Sequence, residues 1–114
     1  MFLIGAFARL SGVSAKMLRA WDALGLFRPI WVDPASGYRW YSPAQLPELR
    51  RIVALRDLGV SLAEIADLIA GGADLRAVLA RRQADLERMR LEVARRLRAL
   101  EIEVEGPDDR SADR

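Results

Sequence analysis

The sequence predicts a mainly α fold with one small β-hairpin and a long C-terminal helix, on three observations. Apolar residues recur at helical spacing in separate stretches between Ile4 and Val104. A turn signal, Asp33-Pro34-Ala35-Ser36-Gly37, separates two short runs of aromatic and β-branched residues, Pro29–Val32 and Tyr38–Tyr41. From Leu79 to Val104 an apolar stripe continues, mostly in three- and four-residue steps, with no Gly or Pro to break it.

The 114 residues, 52% hydrophobic and 30% charged, suffice for one modest core and an appended element. There is no Cys and no His. That removes disulfides, thiolate and imidazole metal sites, and the usual nucleophile–base pairs. No dense acidic cluster has ligand spacing, so no metal site, no cofactor and no enzymatic activity are expected. No apolar run approaches the roughly 20 residues needed to cross a bilayer, and the N-terminus lacks a basic segment followed by a long apolar one. A cytoplasmic protein with no membrane partner is expected.

The formal charge of +2 is unevenly placed. Residues 1–60 carry 8 basic and 4 acidic groups, residues 61–104 carry 8 of each, and residues 105–114 carry 2 and 4. The positive potential therefore sits in the N-terminal half, where an anionic partner would dock. Of the 18 basic residues only Lys16 is Lys. Arg suits bidentate contacts to phosphate and guanine.

The elements follow in order. Ile4, Phe7, Ala8 and Leu10 share one side of a short first helix, which Ser11-Gly12-Val13 breaks. Ser14 caps a second helix, and Val13 with Leu18 can form a hydrophobic staple across its start. Two short helices joined by a tight Gly-containing turn make a helix-turn-helix. On the second helix Met17, Leu18, Trp21 and Leu24 should face the core. Lys16, Arg19, Ala20 and Ala23 then make a small, basic outward face able to enter a groove. The hairpin comes next as a wing, with Gly37 placed for a positive φ. Alternation puts Tyr38 and Trp40 on one face of its second strand and Arg39 and Tyr41 on the other. Trp21 and Trp40 are expected in the core.

Ser42-Pro43-Ala44-Gln45 reads as a helix start with a capping box. Leu46, Leu49, Ile52, Val53 and Leu55 form the apolar face of the helix it opens, with Pro47 awkward in its first turn. Gly59 ends it. Ser61 and Glu64 open a fourth helix carrying Leu62, Ile65, Leu68 and Ile69, which Gly71-Gly72 stops. Asp74 caps the last helix. About 30 residues at 1.5 Å each make an arm of roughly 45 Å. Leu79, Leu86, Met89, Val93, Leu97, Leu100 and Val104 form its stripe. Left exposed, they would forgo on the order of 10–20 kcal/mol of burial. A second copy of the same arm is the simplest cover, which makes a homodimer. Residues 1–72 are thus read as the winged domain, 73–104 as a dimerisation helix and 105–114 as a disordered tail or linker.

The stretches "IGAFARLSGVSAKMLRAWDALGLFRP", "VDPASGYRWYSPAQLPELRRI" and "LRDLGVSLAEI", in this order, resemble the MerR family of bacterial transcription regulators. The wing wording most resembles its drug- and organic-ligand-responsive branch. The resemblance implies a winged helix-turn-helix with a long antiparallel dimerisation helix. It implies a dimer on a pseudo-palindromic operator in double-stranded promoter DNA, which it bends and untwists for RNA polymerase. It places the helix around Lys16 and Arg19 in the major groove and sets Tyr38 and Arg39 against flanking phosphates. Ser14, Ala20 and Tyr41 complete the candidate DNA-contacting set. Ala20-Trp21 stands where the family commonly has two Tyr, which alters the contacts there. Without Cys, the metal sensing of some members does not carry over. Drug-sensing members have a large C-terminal ligand domain, whereas these 114 residues stop at the linker. Two other readings compete: an excisionase-like architectural DNA-binding protein, against which the long helix counts, and a helix-mediated protein-interaction module that reads no DNA.

Overall fold

The computed structural model describes residues 1–112, with side chains through Glu105. The chain divides into two units, Met1–Val78 and a second that begins at Leu79. In the first unit, strand β1 (Phe2–Leu3) leads into helix α1 (Ile4–Ser11), and helix α2 spans Ala15–Ala23. Gly12 closes α1 in the left-handed region at φ 77°, donating its N–H to Ala8 O at 2.9 Å. Only glycine takes that conformation without strain, and it turns the chain tightly into α2. Ser14 Oγ accepts from Met17 N at 3.1 Å, as an N-cap should. The staple residues Val13 and Leu18 are both buried. Leu24 departs from its expected place: it caps the C-terminus of α2 and is 65% exposed.

The wing is a three-stranded antiparallel sheet in the order β1-β3-β2, with β2 at Trp31–Val32 and β3 at Arg39–Tyr41. β1 pairs Phe2 with Tyr41, and β2 pairs Trp31 with Trp40. Two residues are too few for β1 to show alternation, so the sequence announced only the hairpin. Its turn is built as the residues dictate. Asp33 Oδ1 accepts from Ala35 N at 2.9 Å, Gly37 takes φ 75°, and Gly37 N donates to Asp33 O at 2.7 Å.

The wing is fastened by Tyr41, not by Trp40. Tyr41 is 0% exposed and packs with Phe7 of α1 and Phe27 in a triangle of near-parallel rings, at centroid distances of 4.8 and 5.9 Å and interplanar angles of 13° and 8°, with Phe7 and Phe27 6.3 Å from each other. Trp40, expected in the core, is only half-buried, on the opposite face of β3. Around the aromatic stack gather Leu18, Trp21, Leu26, Leu49, Ile52, Leu55, Val60 and Ile65.

A 3₁₀ turn (Pro43–Gln45) opens helix α3 (Leu46–Asp57). The capping box is complete: Ala44 N donates to Ser42 Oγ at 3.1 Å and Ser42 N to Gln45 Oε1 at 2.9 Å. Pro47 fits because it falls in the first turn of α3, where its missing N–H has no intrahelical partner to lose. Helix α4 (Leu62–Ile69) starts at Ser61, whose Oγ accepts from Glu64 N at 3.1 Å. Helix α5 runs from Leu75, capped by Asp74 Oδ2 on Ala77 N at 3.3 Å. Val78, 2% exposed, still belongs to the core, so the first turn of α5 is part of the first unit. The helix continues to Ala112, where a tail had been expected from residue 105; Asp113 and Arg114 of that expected tail lie outside the described residues.

The Tyr41 hydroxyl is buried and has no hydrogen-bond partner among the described residues. Its removal should therefore cost nothing: Tyr41→Phe should melt at or above the parent temperature, whereas Tyr41→Ala should lose about 3–5 kcal/mol in urea unfolding. Burial, and secondarily the Asp22 carboxylate, raise the hydroxyl's pKa above its ordinary 10.0, while Arg39 and Arg19 oppose the shift. The native state thus holds this proton more tightly than the unfolded chain. The associated stability is complete below pH 10 and is lost as pH rises through the native value. Alkaline unfolding of Tyr41→Phe should lack this contribution.

Candidate nucleic-acid interface

Sequence positions far apart converge on one open groove of about 550 Å³ in the first unit. Leu3 of β1 and Ile4 to Ala6 at the start of α1 line it. Arg19 of α2, Tyr38 and Arg39 of the wing, and Arg9 of α1 line its sides. Arg9 folds back along its own helix: a Cβ built at Gly5 would lie 4.0 Å from Arg9 Nη1. Three arginines and a tyrosine therefore line one concavity, and such side chains can donate to phosphate oxygens.

Each predicted contact residue has a defined place. Arg19 and Ala20 are exposed on the outer face of α2, and Lys16 is exposed one turn earlier. Leu18 and Trp21 are turned inward at 0% and 1% exposure. Trp21 is covered from outside by Arg56, whose Cζ stands 5.7 Å from the ring centroid. Ser14 is exposed, and its Oγ serves the helix cap. Tyr38 is 60% exposed at the mouth of the hairpin. Arg39 is half-buried, and its Nε donates to Asp22 Oδ2 at 2.7 Å.

Tyr41 leaves the set. A side chain with 0% exposure, packed against two phenyl rings, cannot reach a ligand, so its role is packing. Two residues enter that the sequence did not disclose. Arg9 joins the groove only because the turn at Gly12 folds α1 onto α2. Asp22 meets Arg39 only because the wing packs against α2, 17 positions away in sequence. No local pattern signals either.

The second unit is the helix itself. Leu79, Leu86, Met89, Val93, Leu97, Leu100 and Val104 are all exposed, from 37% at Leu79 to 70% at Val104. At 100° per residue they fall within a stripe less than a quarter of the helix wide. Ion pairs between neighbouring turns flank it: Arg88 with Asp85, Arg90 with Glu87 at 2.8 Å, and Arg96 with Glu92 at 2.6 Å. Such exposed pairs between neighbouring turns favour the helical conformation and are weakened by salt.

A winged helix-turn-helix whose second helix and wing line one Arg-bearing groove defines a class of regulatory proteins. Residues 2–71 match the MerR HTH family of regulatory proteins, and the chain belongs to that family. It is 47% identical over 73 residues to the transcriptional regulator BrlR of Pseudomonas aeruginosa, covering 64% of this chain and 27% of BrlR. It is 39% identical over 92 residues to the HTH-type transcriptional regulator HmrR of Sinorhizobium medicae, covering 75% of this chain and 62% of HmrR. The chain thus spans about a quarter of one relative and under two thirds of the other. Among solved structures, it resembles the EcmrR–DNA complex in EcmrR-RPo with a TM-score of 0.82 at 26% identity, over 95% of this chain and 40% of that one. It resembles MtaN, the N-terminus of the Bacillus subtilis multidrug transporter activator, with a TM-score of 0.81 at 25% identity, over 92% of this chain and 99% of that one.

The observed hydrogen bond makes Ser14 a cap first. Ser14→Ala should lower stability by about 1 kcal/mol and Ser14→Gly by only a few tenths. Urea unfolding of both variants beside their DNA titrations checks this. A loss of DNA affinity at unchanged stability would show that the hydroxyl touches the nucleic acid.

Proposed function

We propose that this chain is a DNA-binding, dimerising cytoplasmic transcription regulator, which binds a pseudo-palindromic promoter operator as a homodimer. One observation carries the reading: Arg9, Arg19, Tyr38 and Arg39, from three separate elements, line a single basic groove beside the exposed face of α2. Arg19 and Lys16 read base edges in the major groove, beside the methyl-sized Ala20. The wing arginine and Tyr38 brace the flanking backbone. The EcmrR–DNA complex among the structural neighbours supports DNA as the partner. Action at a promoter, with bending and untwisting that serve RNA polymerase, rests on the family resemblance.

Dimerisation follows from the stripe. Side chains such as Val93 and Leu97, 53% and 54% exposed, need a matching surface as long as the helix itself. A second antiparallel α5 supplies it. Two recognition helices must then lie about 34 Å apart to meet successive major grooves on one face of the duplex.

Two measurements test these roles. Replacing Val93 and Leu97 with Glu should leave the winged unit folded but monomeric in sedimentation; a persistent dimer at low concentration would sink the antiparallel seam. On DNA, Arg19→Ala should cost about 1–3 kcal/mol per half-site and relax preference at one position. Arg39→Ala should weaken matched and scrambled operators alike and flatten the log-affinity against log-salt slope by about one unit per lost contact. Inserting about five base pairs between half-sites should abolish tight binding. If neither arginine matters, the groove does not bind DNA.

A further inference from the structure

Arg39, which lines the groove, is paired with Asp22, an acidic group on α2. Asp22 is on the last turn of α2, two residues past Ala20, and its side chain is 19% exposed. Its carboxylate holds Arg39 by one edge of the guanidinium: Nε donates to Oδ2 at 2.7 Å. A guanidinium has five N–H donors in a rigid fork, so an Nε contact leaves the two Nη groups to act elsewhere. Arg39 also lines the groove with Arg9 and Arg19. One side chain is thus tied to the recognition helix at its inner edge while it faces the groove.

Resting on the DNA-binding reading above, we propose that Asp22 is a positioning residue. It fixes the wing arginine against the recognition helix, so that Arg39 presents its Nη groups to a DNA phosphate in a preset orientation. Pre-organisation matters here because a free arginine loses rotamer entropy on binding. Tyr41 makes the tie effective. Two residues along β3 and on the same face, it is fully buried and packed against both Phe7 and Phe27, which anchors the backbone beneath Arg39. The negative charge of Asp22 opposes DNA only weakly. It is paired at contact distance, and beyond about 10 Å it is screened at 0.1 M salt.

Lysine cannot substitute, since an ammonium is a single point of contact. It would satisfy Asp22 or a phosphate, not both in fixed geometry.

A double-mutant cycle on operator DNA decides the matter, with Asp22→Asn, Arg39→Ala and the pair together, at about 0.15 M salt where exposed charges are screened. Asp22→Asn alone should weaken binding about two- to tenfold per half-site. In the Arg39→Ala background the same change should do nothing further. Arg39→Lys should resemble Arg39→Ala in affinity despite its retained charge. Thermal melting of each variant is read alongside. The proposal is overturned if Asp22→Asn tightens binding, because Asp22 would then be only a repulsive charge. It is overturned equally if Asp22→Asn weakens binding to the same extent in both backgrounds as the melting temperature falls, because its role would then be general stability. If the parent protein itself fails to bind any operator, the functional reading fails and not this inference alone.

Discussion

The structure of the first unit depends on the burial of one ring. Tyr41 packs with Phe7 and Phe27 in a three-ring cluster that joins the wing, the first helix and the segment after α2. A three-stranded sheet with strands of two or three residues cannot hold itself together. Its few ladder bonds need a hydrophobic anchor, and Tyr41 supplies about as much buried area as one residue can. The two-residue period of a strand does the rest. If Tyr41 points inward, Arg39 shares its face and Trp40 cannot. The arginine is delivered to the flank of α2, and the indole is left near the surface opposite Trp31.

Helices were legible because they announce themselves locally. The cap at Ser14, the box at Ser42 and Gln45, and the stop at Gly12 are bonds within three or four residues, and the structure makes each of them. The alternation within β3 was also legible, but which face was the inner one was not. Tyr and Trp both carry a polar handle on an apolar body, and only the shape of the space between α1 and Phe27 chooses between them. Leu24 misled for a related reason. It keeps the helical spacing of a core residue but stands at the end of α2, where the chain already turns away.

The candidate site divided in the same way. Arg19 and Ala20 were found because a helix face is a local pattern. Arg9 and Asp22 were hidden because their importance is tertiary: each becomes significant only when another element is laid against it. The bias toward Arg fits this arrangement. A crowded groove in which charges also serve protein neighbours favours a side chain that can bond in more than one direction at once.

The strand order carries one more consequence. With β3 in the centre, β1 and β2 are both open edges, and β2 exposes Trp31 and Val32 beside Ile30. An apolar, unpaired edge is ordinarily an invitation to aggregate, since another chain can add a strand to it. Here the edge is two residues long, with Pro29 two positions before Trp31 and the turn at Asp33 directly after Val32. A proline offers no N–H, and a side-chain-bonded turn offers no extended backbone, so an incoming strand would find a ladder too short to grip. The brevity of the wing therefore protects the protein from sticking to itself as a sheet.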